Sequence, residues 1–136
     1  MTIQETAALL QTMDRVLLLT HVRPDGDTIG SAAALCRALR DLGKIAYLLP
    51  NPGITETYAC YAAPYWAEEG FEPDFVVSVD IAALGLLPEN AKKYASRIDL
   101  AIDHHPSNEG FAKESCVLAE MAACGEIIYE IVGLLT

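Results

Sequence analysis

The sequence predicts an α/β fold, a largely parallel sheet flanked by helices, on three observations. Short apolar runs with the look of buried strands alternate with amphipathic segments of helical period. The strand-like runs are continuously apolar rather than alternating, the pattern of strands covered on both faces. Three of them end on acids or imidazoles, at the sheet edge where such folds gather ligands.

The elements follow in order. Thr2 to Met13 places Ile3, Ala7, Leu10 and Met13 on one helical face. Arg15 to Thr20 is a short apolar run, read as a central strand. His21 to Asp27 is a loop broken by Pro24 and Gly26. Thr28 to Leu42 is a strong helix, with Asp27 or Thr28 to cap it and Gly43 placed for its C-terminal end. Its first turns, Gly30 to Ala34, are slim enough for close packing on a sheet. Lys44 to Leu49 is a second strand. Pro50 to Glu72 reads as short helices and loops. Phe75 to Asp80 is a third strand. Pro88 starts a helix running to about Ser96. Ile98 to Asp103 is a fourth strand, an edge strand is expected within Glu109 to Leu118, and Ala122 to Leu135 is a closing helix striped by Ile127, Ile128, Ile131 and Leu134.

A chain of 136 residues is about one domain. The net charge of −10 argues against a basic groove for long duplex nucleic acid. Cys36, Cys60, Cys116 and Cys124 lack metal-binding or redox spacing and read as reduced thiols, mostly packed as small apolar side chains. Neither a signal peptide nor a run of transmembrane length is evident, so a cytoplasmic protein without a membrane partner is expected.

The chemistry lies in His21-Val22-Arg23-Pro24-Asp25-Gly26-Asp27, Val77-Ser78-Val79-Asp80 and Ile102-Asp103-His104-His105, which together hold all three histidines. In the first, His21, Asp25 and Asp27 can converge around tight-turn residues, and Gly26 permits close approach to a ligand. The following helix N-terminus favours an anion nearby. Alone, this stretch also reads as a polar turn that caps a helix. Asp80 ends an apolar strand, where a carboxylate needs a cation or several donors. It reads either as a cap for the next segment or as a carboxylate bridging two metals. After Asp103, one of His104 and His105 can ligate a metal while a carboxylate holds its other nitrogen, and the other can face substrate. Imidazole and carboxylate donors without thiolate suit Mn²⁺, Mg²⁺ or Co²⁺ and admit Zn²⁺. Two such ions can activate water and clamp a phosphoryl group. Tyr58, Tyr61, Tyr65 and Trp66 read as packing residues or as stacking platforms for bases. Arg23 reads as a solvated side chain or a phosphate contact.

These motifs resemble the DHH phosphoesterase superfamily, whose signature stands here as Asp103-His104-His105. Nearly the whole chain is similar to the branch of bifunctional oligoribonucleases (nanoRNases) and 3′-phosphoadenosine-5′-phosphate (pAp) phosphatases. The most specific segment is His21-x-x-Pro24-Asp25-Gly26-Asp27-Thr28-Ile29-Gly30-Ser31. The resemblance implies two divalent metal ions, Mn²⁺ first among the candidates. His21 and Asp25 would hold one, Asp27 and His104 the other, and Asp80 would bridge them. It implies catalytic roles for His105, at the scissile phosphate or attacking water, and for Asp103, supporting the imidazoles. The implied partner is a short oligoribonucleotide or nucleotide phosphate, and a homodimer of the full-length protein is compatible with it.

The chain departs from the family beyond Ala122-Ala123-Cys124-Gly125-Glu126-Ile127-Ile128-Tyr129, where a fourth motif supplies another metal-binding Asp. It also lacks a glycine-rich second domain with its Gly-Gly-Gly-His. Residues 1–136 are therefore expected to be a catalytic domain incomplete at its C-terminus, without the substrate-binding domain and weak or inactive alone. Two other functions fit the motifs: a cyclic or linear dinucleotide phosphodiesterase, and a non-catalytic nucleotide-binding module.

Overall fold

The computed structural model describes residues 1–136. Five parallel strands, β1 (Val16–Leu19), β2 (Ala46–Leu48), β3 (Phe75–Val79), β4 (Leu100–Asp103) and β5 (Glu114–Val117), form one sheet in the order β2-β1-β3-β4-β5. The expected largely parallel α/β architecture is what forms. After β2 the chain crosses back over β1 and adds the remaining strands on its other side. That reversal lies between β1 and β3, paired through Leu18↔Val77 and Leu19↔Ser78. A crevice opens at the carboxyl ends of the strands at such a point.

Alternation along the strands divides the core. Val16, Leu18, Val77, Val79, Leu100, Ile102 and Cys116 join the larger cluster with α1 (Ile3–Thr12), α2 (Gly26–Asp41) and α4 (Cys124–Leu135). Leu17, Leu19 and Val76 face the other way, under Ile81, Leu87, Ala91, Tyr94 and Ile98. Real helices cover one face; short 3₁₀ turns cover the other.

The helix ends follow from local chemistry. Thr2 and Glu5 close a reciprocal capping box on α1, each side chain accepting from the other's backbone N–H at 3.0 and 2.9 Å. Helix α2 differs from expectation at its start. Its cap is Asp25, whose carboxylate accepts from Thr28 N–H at 3.0 Å, so Gly26 and Asp27 lie in the first turn. Asp25 wins because its backbone is extended and its side chain reaches the third following amide. Thr28 instead turns inward, donating its hydroxyl to Val79 O at 2.9 Å. At the other end Gly43 takes a positive φ of 83°, the expected helix stop.

The helix expected over Pro88 to Ser96 is a 3₁₀ segment, Glu89–Tyr94, with Pro88 just outside it. Only Ala91 and Tyr94 are buried there, a spacing of three that a 3₁₀ turn stacks on one side. Pro50 to Glu72 contains α3 (Glu56–Ala62), a 3₁₀ turn and loops, as read. Tyr58, Tyr65 and Trp66 pack against the larger core, while Tyr61 is exposed. Cys36, Cys116 and Cys124 are buried free thiols and Cys60 is an exposed one. No helix is long and apolar enough to cross a membrane.

The division of the core makes Leu18→Ala costly, by about 2–5 kcal/mol, because Leu18 is fully buried under α2. Tyr129→Ala, on the exposed face of α4, should stay within about 0.5 kcal/mol. Urea unfolding midpoints of the two variants check the contrast; equal shifts would contradict this core assignment.

Candidate metal centre

Three strand ends and two helix starts converge on Asp80. Central β3 ends as Asp80 adopts a left-handed φ of 65°, a conformation that Asp tolerates better than most side chains. Its carboxylate is buried, at 3% residue exposure, and its Oδ1 has no hydrogen-bond partner. Burial, with repulsion from Asp27 and a smaller one from Asp25, pushes its pKa up to about 7 despite His105 and His21 nearby.

His21 follows β1. Its Nδ1 lies 2.7 Å from Val22 O, a contact that requires the proton on Nδ1. In the neutral ring Nε2 then carries a lone pair, and it faces Asp25 Oδ1 at 3.6 Å and Asp80 Oδ2 at 3.8 Å. His104 follows β4 and repeats the arrangement. Its Nδ1 donates to Met121 O at 3.3 Å, and Nε2 lies 3.4 Å from Asp80 Oδ1 and 3.8 Å from Asp27 Oδ2. On each side a lone pair confronts carboxylate oxygens, which is repulsive without a cation or a proton between them. Asp80 serves both sides with different oxygens. The donor set thus fits divalent metal ions, and the orphaned Asp80 Oδ1 is the atom that asks for one.

Asp27 is held differently. Its carboxylate accepts from Cys124 N–H at 2.9 Å and Gly125 N–H at 2.8 Å, the first amides of α4, with Ser31 Oγ at 3.4 Å. It occupies the positive end of that helix. Oδ1 takes two of these donors, but Oδ2 accepts only from Cys124 N–H and keeps a second lone pair, so Asp27 can still face a metal. A Cβ added at Gly125 would stand 3.3 Å from Asp27 Oδ1.

His105 and Asp103 form a second layer. Asp103 is fully buried, and its Oδ1 accepts from His104 N–H at 2.9 Å and from His105 Nδ1 at 2.6 Å. That bond turns Nε2 of the half-exposed His105 away from Asp103. Burial alone would lower the His105 pKa, but the bond to Asp103 and the charges of Asp103, Asp80 and Asp27 raise it overall.

All seven residues singled out in the sequence, His21, Asp25, Asp27, Asp80, Asp103, His104 and His105, meet in this crevice. Arg23 is exposed in the same loop with a left-handed φ of 51°. At Gly26 the tight approach is to the Tyr58 ring, 3.2 Å from where a Cβ would sit. Two asparagines escaped the sequence reading. Asn51 Nδ2 donates to Thr20 Oγ1 and His21 O, both at 2.9 Å. Asn108 Nδ2 donates to Asp103 Oδ2 at 2.9 Å. Each accepts from the glycine two residues on, Gly53 and Gly110. The Asn-x-Gly repeat after a strand end was the available signal, and it reads as an ordinary turn.

Residues 15–134 match the model of the DHH family, N-terminal domain. The chain belongs to the DHH family. The bifunctional oligoribonuclease and PAP phosphatase NrnA of Thermus thermophilus is 30% identical over 133 residues, covering 88% of this chain and 37% of that protein. The protein of the same name from Bacillus subtilis is 25% identical over 131 residues, covering 93% of this chain and 41% of its own. This DHH chain therefore spans about two-fifths of those relatives. An exopolyphosphatase-related protein of Bacteroides fragilis shares the fold, with a TM-score of 0.72 at 24% identity over 98% of this chain and 43% of that one.

Asp80 gives a pH signature for the metal-free DHH chain. An acid whose folded-state pKa lies above its unfolded value of 3.8 costs stability once it ionises. The cost is absent below that value, grows up to about pH 7, and is constant above. Asp80→Asn should therefore be more stable than the parent in chelator at pH 8, by roughly 4 kcal/mol, with the gain fading toward pH 4. Urea titrations across that range measure it, and a pH-independent difference would contradict the burial argument. Gly125→Ala should crowd Asp27 and weaken divalent-metal binding roughly tenfold with little loss of fold, read by calorimetric titration; unchanged affinity would remove Asp27 from the centre.

Proposed function

We propose that this chain is the metal-binding catalytic domain of a phosphoesterase acting on short oligoribonucleotides, pAp, or both, with two divalent cations, Mn²⁺ first among them. The observation that carries the reading is Asp80: one buried carboxylate whose two oxygens face two separate imidazole lone pairs. His21 and Asp25 would hold one ion and Asp27 and His104 the other, with Asp80 available to both. Bound there, such ions would supply an activated water at neutral pH and charge stabilisation for the phosphoryl oxygens.

The chain's own groups do the rest. Backbone carbonyls hold the Nδ1 protons of His21 and His104, which keeps both Nε2 atoms available as ligands. Asp103 orients His105 so that its Nε2 can meet a phosphate oxygen or the attacking water. Three carboxylates, Asp25, Asp27 and Asp80, would repel a phosphate from the crevice; two bound dications would turn that charge of minus three to plus one. Binding of an anionic substrate is thereby made conditional on metal. The substrate class rests on the two relatives named as oligoribonuclease and PAP phosphatase, which align with this chain over 133 and 131 residues.

The decisive assay offers pAp, the dinucleotide pApA and a cyclic dinucleotide to the intact protein with Mn²⁺. Turnover of the first two, lost in chelator and reduced more than about 100-fold by Asp80→Asn, is the expected result. Hydrolysis of the cyclic compound alone would replace the substrate class. Nucleotide binding without turnover of any would replace the catalytic reading with that of a binding module.

A further inference from the structure

Asp103 has no charged partner except His105, yet it is fully buried at the end of β4. Its orientation decides which imidazole nitrogen of His105 carries the proton, so whatever fixes Asp103 fixes His105. Oδ1 takes two of its hydrogen bonds, from His104 N–H and His105 Nδ1. The remaining oxygen, Oδ2, takes one from Asn108.

Asn108 is itself bound on every side. Its backbone N–H donates to His105 O at 3.1 Å. Its Oδ1 accepts from Gly110 N–H at 2.8 Å. Its Nδ2 donates to Asp103 Oδ2 at 2.9 Å and to Ile81 O at 3.3 Å. Only one amide orientation satisfies this set, because a flipped side chain would put oxygen against a carboxylate and a carbonyl, and nitrogen against an N–H. Ile81 directly follows Asp80. One amide thus ties the β4 end, which carries Asp103 to His105, to the β3 end, which carries Asp80.

We propose that Asn108 is a positioning residue: it holds the Asp103 carboxylate in the orientation that keeps the His105 proton on Nδ1 and presents Nε2 to the substrate phosphate. The substrate part rests on the phosphoesterase reading above; the tautomer part does not. An asparagine suits the task because Asp103 needs a donor that adds no charge. A lysine or arginine there would compete with His105 for Asp103.

The test separates positioning from simple support of the loop. In the metal-free protein at alkaline pH, long-range ¹H–¹⁵N correlation spectra report the tautomer of each of the three imidazoles. The parent should show His105 protonated on Nδ1. Asn108→Ala should give a mixture of tautomers at His105 while His21 keeps its own. Asn108→Asp, which preserves shape and the acceptor for Gly110 N–H, should displace the Asp103 carboxylate and give the same result. In the intact protein both variants should lose about 10–100-fold in kcat, with KM and Mn²⁺ affinity within about threefold. A pure Nδ1 tautomer in both variants would overturn the proposal, whatever happens to kcat, and so would a parent kcat in a variant whose tautomer has shifted. Absence of phosphate-ester turnover in the parent would remove the phosphoesterase reading and leave the tautomer test standing.

Discussion

The arrangement depends on one carboxylate that is almost wholly buried. Asp80 closes the central strand of a parallel sheet, at the point where strand order reverses. Flanking strands end at the same height, so their terminal residues have nowhere to go but toward it. His21 comes from β1 and Asp103 to His105 come from β4. An unbalanced charge there costs several kcal/mol, and the fold brings no Lys or Arg to it. The neighbours are imidazole lone pairs and other acids. The chain alone therefore carries an electrostatic strain that a bound cation would relieve, which would link metal binding to stability.

The second organising feature is how backbone polarity is spent on the acids around Asp80. Two helices begin at the crevice. Asp25 caps α2 through Thr28 N–H, and Asp27 spans the first amides of α4. The two acids sit two residues apart yet answer to different helices, one local and one nearly a hundred residues away. This keeps them on opposite sides of Asp80 and lets one seven-residue loop serve two candidate metal positions. Thr28 completes the fixation by tying α2 to the last carbonyl of β3. The loop is anchored at both ends, by Asn51 on the His21 carbonyl and by Asp25 on Thr28 N–H, while its tip is exposed.

The site was legible in the sequence to the extent that its residues break a pattern. Acids and imidazoles at the ends of apolar strands stand out because burial penalises them, and each such residue lies in the crevice. Fold class followed from the same contrast between continuous strands and periodic helices. What stayed hidden was held by backbone geometry. The choice of Asp25 over Asp27 or Thr28 as the α2 cap depends on one extended φ,ψ pair. The 3₁₀ form of Glu89–Tyr94 depends on a shallow sheet face that buries only two of its residues. Asn51 and Asn108 look like turn formers, and they are; their other hydrogen bonds reach residues distant in the chain or folded back on it.

That last point bears on how the site is built. Asn51 fixes the carbonyl of His21 from the end of β2, and Asn108 fixes Asp103 from the loop after β4. Neither brings charge, and neither competes for a cation. Around a cluster with four acids and three imidazoles, a charged support would shift the balance that makes the crevice receptive to metal. Neutral amides hold geometry without changing that balance. The inner layer thus supplies charge and the outer layer supplies position, and each asparagine is tied by its own glycine so that its orientation is set before any ligand arrives.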